Sequence, residues 1–191
     1  MLFRSKSPWV VRTAAQLEAF ARSVNQGNSY SGQRIRLMAD LDLSGRRWNP
    51  IGFYRERGSR PFKGVFDGNG HVVRGLNIEA PAAGMAGLFG VLEGATVVRL
   101  TVEDASVSGG SNVGILAGLT VRSELKNCSV SSSVLGTENV GGMIGKASES
   151  RMSGLSFSGT IKGRASSAGG LIRSMFGTAS KIGRASCRER V

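Results

Sequence analysis

The sequence predicts an all-β fold: a right-handed parallel β-helix with coils of 27–28 residues and a capping helix at its N-terminal end. Three observations carry this expectation. Glycine-centred pentads recur at a fixed step, apolar residues alternate after each pentad, and 28 glycines accompany only 6% aromatic residues. Many short strands joined by tight turns need the positive-φ and close-approach positions that glycine supplies.

The pentads "AGLFG" at Ala86, "GILAG" at Gly114, "GGMIG" at Gly141 and "GGLIR" at Gly169 are separated by 28, 27 and 28 residues. Counting on from Gly90, Gly118 and Gly145, the seventh residue is Val97, Leu125 or Met152. The tenth is Leu100, Cys128 or Leu155, and the twelfth is Val102, Val130 or Phe157. A spacing of two puts both side chains on one strand face. A further strand is anchored by Val107, Val134 and Ile161 and closed by Gly109, Gly136 and Gly163, with one extra residue before it in the first unit. Three short strands make about one coil, and coils stack at about 4.8 Å. Gly87/Gly90, Gly114/Gly118 and Gly141/Gly145 are expected to form columns at the coil corners, where a Cβ would obstruct the chain. Cys128 stands where the neighbouring repeats have leucine, so it reads as a small core hydrophobe. Gly145-Lys146 lacks the following helix that a phosphate-binding loop requires.

Residues 1–12 read as a poorly defined leader, and 13–45 as the cap helix and first strand. In "TAAQLEAFARSVNQG", Thr13 is placed to N-cap with Gln16 three residues on, and Gly27 to terminate. Leu17, Phe20, Ala21 and Val24 share one face, which is expected to cover the open end of the first coil. Ile35, Leu37, Ala39, Leu41 and Leu43 then alternate with polar residues as one half-buried strand. Residues 46–84 read as the first coils with a basic loop, and 85–180 as the regular repeats. Asp67-Gly68-Asn69-Gly70 marks a turn between strands at Val65–Phe66 and Val72–Ile78.

The last eleven residues, "KIGRASCRERV", break the pattern and look like the translation of a sequencing-library adapter, so 181–191 are set aside as an artefact. Without them the formal charge falls from +12 to +9 and Cys128 is the one cysteine left, which offers neither a disulfide framework nor a metal-ligand set. No run of 18 apolar residues is present, so no span is expected, and no signal peptide is visible at the start. His71, the single histidine, opens an alternating strand and reads as structural. No catalytic residue, metal site or cofactor is expected.

On these residues the chain resembles the GLUG-repeat family of bacterial surface and secreted proteins. The likeness rests on the pentads, on "LMADLDLSGRRWNPIG" at Leu37–Gly52 and on "FKGVFDGNGHVVRGLNI" at Phe62–Ile78. The last pentad departs from it, with Arg173 in place of glycine. The resemblance implies a non-catalytic β-helical module, adhesive or stalk-like, at the cell surface or secreted. Its partners would be host or matrix glycans or surface proteins. Some members of the family carry the module beside an immunoglobulin-cleaving zinc metalloprotease, whose H-E-x-x-H motif this chain lacks.

Two other readings stay open. A β-helix carbohydrate-active enzyme needs clustered carboxylates, and Asp40, Asp42 and Asp67 are the candidates. A polyanion-binding module would use Arg46, Arg47, Arg55, Arg57, Arg60 and Lys63, interleaved with Trp48, Phe53, Tyr54 and Phe62. Nucleic acid is the less favoured polyanion.

Overall fold

The computed structural model describes residues 8–54, 58–79, 84–163, 168–176, 181–182 and 185–190. Its strands, numbered in chain order, form the three faces of one solenoid. The first face stacks β1 (Trp9–Val11), β2 (Arg34–Leu37), β4 (Val65–Asp67), β8 (Thr96–Val98), β11 (Glu124–Lys126), β14 (Arg151–Ser153) and β18 (Lys181–Ile182). The second stacks β7 (Phe89–Glu93), β10 (Ala117–Val121), β13 (Ile144–Ser148) and β17 (Ile172–Phe176). On the third lie β3 (Leu41–Asp42), β5 (Val72–Arg74), β6 (Asn77–Glu79), β9 (Thr101–Val113), β12 (Ser129–Gly141), β15 (Leu155–Lys162), β16 (Ala168–Gly169) and β19 (Ala185–Arg190). Every pairing between these strands is parallel. The chain is a parallel β-solenoid, as its period predicts.

Register explains the core. Ile35, Phe66, Val97, Leu125 and Met152 stand one above another on the first face. Leu41, Val73, Val102, Val130 and Phe157 do the same on the third. All ten are buried. Burying each aliphatic or aromatic side chain contributes about 1.5–3 kcal/mol, so the columns supply the main driving force for stacking. Cys128 belongs to this core, and burial pushes its thiol up to about 11.

At the N-terminal end, helix α1 (Ala14–Asn25) lays Leu17, Phe20, Ala21 and Val24 on the first coils. The Thr13 hydroxyl accepts from the Gln16 amide at 3.2 Å, while the Gln16 side-chain carbonyl accepts from the Arg12 amide at 2.7 Å. The reciprocal bond of the cap therefore reaches one residue further back than a capping box does. Gly27, at φ +114, ends the helix. Phe20 packs edge-on to Tyr30 and Phe62 with ring centroids 5.0 and 5.5 Å apart, so the widest side chains close this end of the stack.

Several local expectations change. The alternating run after the helix is two strands, β2 and β3, on different faces. Ile35, Leu37, Leu41 and Leu43 all remain buried because the inward pattern survives the corner between them. Residues 9–11, within the supposed leader, form the edge strand β1. The two strands expected after Leu100 merge into the 13-residue β9, and likewise into β12. The extra residue of the first unit becomes a bulge: Glu103 pairs with Ser131, but Ser106 pairs with Ser133. Asp104 takes φ +52 there, and the Ala105 amide donates to the Ser132 hydroxyl at 2.8 Å. Residues set aside at the C-terminus carry β18 and β19, which continue the first and third faces on β14 and β15.

Gly90, Gly118 and Gly145 lie inside β7, β10 and β13 rather than at corners. Close approach is the reason for glycine: a Cβ on Gly145 would sit 2.5 Å from the Asn112 carbonyl carbon and the Val113 nitrogen. The turned corners hold two other columns of positive φ, Gly94–Arg122–Glu149 and Arg99–Asn127–Gly154, mostly filled by non-glycine residues.

Candidate functional site

Three groups of charged side chains stand out among the described residues, and their ion pairs join residues about one coil apart. The first centres on Asp67, the last residue of β4 and fully buried. Arg34 and Arg36 reach it from β2 at 3.3 Å each. Arg99, in the left-handed conformation just after β8, donates from Nη2 to both carboxylate oxygens and from Nε to Oδ1. The Asn69 amide adds a fourth donor residue at 2.9 Å. Burial alone would raise the Asp67 pKa. The Arg99 hydrogen bonds, the Asn69 amide and the charges of Arg99 and Arg36 outweigh it and hold the carboxyl below its usual range. A carboxylate so committed is a structural hub and a poor proton carrier.

The second group lies at the start of β3 and β5. Asp40 accepts from the Val72 amide at 3.1 Å and contacts His71 Nδ1 at 3.0 Å, with Arg74 at 3.5 Å. Arg74 also donates to Glu103 at 3.1 Å. The Val72 amide and the His71 hydrogen bond keep the Asp40 carboxyl low, and the Ser44 hydroxyl and amide do the same for Asp42. Asp40 and Asp42 border a shallow cleft of about 360 Å³ with Arg74 and Asp104. Asp67 belongs to the first face and these two to the third side of the coil, so the three aspartates are not brought together. Among the described residues no group of three histidine, cysteine or acidic side chains is arranged to hold a metal.

The third group is the basic segment, and the structure divides it. Arg46 pairs with Glu18 of α1 at 2.9 Å, and Arg47 with Glu79 at 3.0 Å. Lys63 sits at another corner, paired with Glu93 at 3.1 Å, and Glu93 also accepts from Arg122 at 3.0 Å. Phe53 and Arg60 exchange two backbone hydrogen bonds as the neck of an antiparallel hairpin. Arg55 and Arg57 lie outside the described residues. Trp48 and Phe62 are core residues; Tyr54 is the exposed aromatic, at 59%.

Between α1 and residues 46–54 the surface opens into a cleft of about 1250 Å³. Arg46, Arg47, Phe53 and Tyr54 line it from the coil, and Arg22 and Gln26 from the helix. Sequence reasoning missed Arg22. It lies one helical turn from Glu18 on a face that reads as solvated, and only closure of the cap brings it opposite the basic segment. The three arginines around Asp67 were also missed, although each is 31–33 residues away, about one coil.

The architecture defines the chain as a parallel β-solenoid with a helical cap and no extended insertion domain among the described residues. Comparison with known proteins agrees with that class. A solved structure from Bacteroides ovatus, bearing the name of an immunoglobulin A1 protease, superposes with a TM-score of 0.60 at 18% identity, over 93% of this chain and 64% of that one. Halomucin of Haloquadratum walsbyi is 34% identical over 139 residues, which are 67% of this chain and 1% of halomucin. A protein of Evansella cellulosilytica that carries the name Gly-rich membrane protein is 31% identical over 129 residues, 61% of this chain and 14% of that protein. The chain thus spans a small part of both relatives. No family model matches it. No helix among the described residues is long and apolar enough to cross a membrane.

Proposed function

We propose that this chain is a non-catalytic structural segment of a cell-surface or secreted protein, serving as a stalk with adhesive faces. One observation carries the reading: the register between coils is continuous from Ile35 to Met152, which is how a repeated structural segment is built. Its carboxylates support this, because Asp67 is locked by arginines and Asp40 by His71 and Val72. The names of the two relatives point the same way, toward a mucin-like or membrane-associated surface protein. The GLUG-type reading of the pentads belongs to this proposal too.

The test pairs two assays on the purified chain. Beads coated with it are expected to adhere to mucin- or matrix-coated glass, and its incubation with polygalacturonate, alginate and xylan is expected to release no reducing ends. Saturable release of reducing ends would replace the proposal with the carbohydrate-active reading. Beads that adhere no better than albumin-coated ones would remove the adhesive part and leave a spacer.

A further inference from the structure

The cleft between the cap helix and residues 46–54 combines features that do not follow from stacking coils. We infer that it is a binding site for an acidic saccharide, one whose sugars carry uronate carboxylates. The inference rests on the surface-module reading only for where such a saccharide would be met.

The walls supply three complementary chemistries. Tyr54 leaves 59% of its surface to solvent beside the half-buried Phe53, and of the other described aromatics only Trp9, away from the cleft, is as exposed. An exposed phenol ring at a cleft wall offers a flat face for the C–H side of a pyranose. Guanidinium groups from Arg22, Arg46 and Arg47 line the same cleft, and a planar guanidinium fork matches a carboxylate with two parallel hydrogen bonds. Arg22 forms no ion pair among the described residues, while Arg46 and Arg47 pair with Glu18 and Glu79, which line the same cleft. Gln26 and Asn49 add side-chain amides, which can both donate to and accept from sugar hydroxyls.

Size and charge favour a saccharide chain over other polyanions. The volume of about 1250 Å³ exceeds that of a typical small-molecule pocket, so several sugar rings fit along it. With three arginines against Glu18 and Glu79, the lining carries a slight positive excess. That balance suits a single chain held by paired guanidinium–carboxylate contacts better than duplex nucleic acid, which presents a phosphate charge about every 1.7 Å and needs a dense cationic track. Lys63 and Arg122 are excluded from the site, because they share Glu93 at a different corner.

Titration of the full chain with hexagalacturonate, followed by calorimetry and, in a Trp9→Phe background, by Trp48 fluorescence, tests the site. Saturable binding is expected, with no heat from maltohexaose. Tyr54→Ala and the double variant Arg22→Ala/Arg47→Ala should each weaken binding about tenfold or more, as expected for lost stacking or charged hydrogen bonds. Lys63→Ala/Arg122→Ala should bind like the parent. These side chains are exposed or half-buried, and circular dichroism checks that each variant keeps the parent's fold. Absence of saturable binding, or equal affinity in the cleft variants and the parent, overturns the inference. So does tighter binding of oligo-dT than of the hexauronate. A chain that adheres in the bead assay yet ignores hexagalacturonate loses this cleft and keeps the surface-module reading.

Discussion

Arg99 Nη2 lies 2.8 Å from Oδ1 and 2.7 Å from Oδ2 of Asp67, joining two successive coils on the outer side of the first face. The carboxylate is fully buried, yet half of each long arginine around it remains in water, except Arg36, which is more covered. This arrangement avoids most of the desolvation cost on the cationic side while committing the aspartate entirely.

Asp67→Asn is therefore expected to lower stability by about 2 kcal/mol, the order of a lost charged hydrogen-bond set. The pH dependence follows from the lowered pKa. Asp67 stabilises the fold fully above its ordinary value near 4, and that contribution disappears as pH falls through the depressed folded value. Denaturant melts from pH 7 down to pH 2 should show a smaller acid loss in Asp67→Asn than in the parent. Asp40 and Asp42, also lowered, account for part of the loss that remains. Identical acid profiles for the two proteins would refute the assignment.

Gly145 separates close approach from backbone freedom. Gly145→Ala should cost roughly 3 kcal/mol or prevent folding, because its Cβ would meet the Asn112 and Val113 backbone, which cannot swing aside as a side chain can. Gly45 is the contrast: it has φ +72 with open space around it, so Gly45→Asn should change stability by less than about 1 kcal/mol. Thermal melts of the pair decide this, and a mild Gly145→Ala would show that the strands separate more easily than the geometry implies.

Thr120 occupies an inward column between Leu92 and Ala147, and its buried hydroxyl has no hydrogen-bond partner. Thr120→Val replaces that hydroxyl with a methyl of nearly the same shape. A gain of about 1 kcal/mol is expected, since an unsatisfied buried group carries its desolvation penalty uncompensated. A loss of stability on chemical denaturation would mean that the hydroxyl is bonded in solution.

Much of the fold was legible because its signal is periodic. Val97, Leu125 and Met152 announce their column through spacing alone, and Thr13, Phe20 and Gly27 announce the cap through local chemistry. What stayed hidden depends on how coils meet. Nothing near Asp67 in sequence shows that Arg34, Arg36 and Arg99 converge on it, and Asp67, read as the first residue of the turn, is in fact the last residue of β4. The basic segment shows a related limit. A coil turns between Arg47 and Lys63, so Arg46 and Arg47 meet Glu18 and Glu79 while Lys63 meets Glu93 at another corner. Tyr54 and Arg22 were visible residues with an invisible relation, since the helix and the segment after Gly45 become neighbours only when the cap closes.

The bulge at Asp104–Ala105 has a consequence for how such a chain can vary. One surplus residue enters between Glu103 and Ser106, and Val107 still pairs with Val134 and Val113 with Val140. The hairpin between Phe53 and Arg60 does the same on a larger scale, with Ile51 paired to Phe89 on one side of it and Phe62 to Leu92 on the other. Sideways growth is thereby uncoupled from vertical order. Additions at such points alter what the surface presents and leave the inward columns in step, so the outer shape can diversify on a scaffold that stays the same.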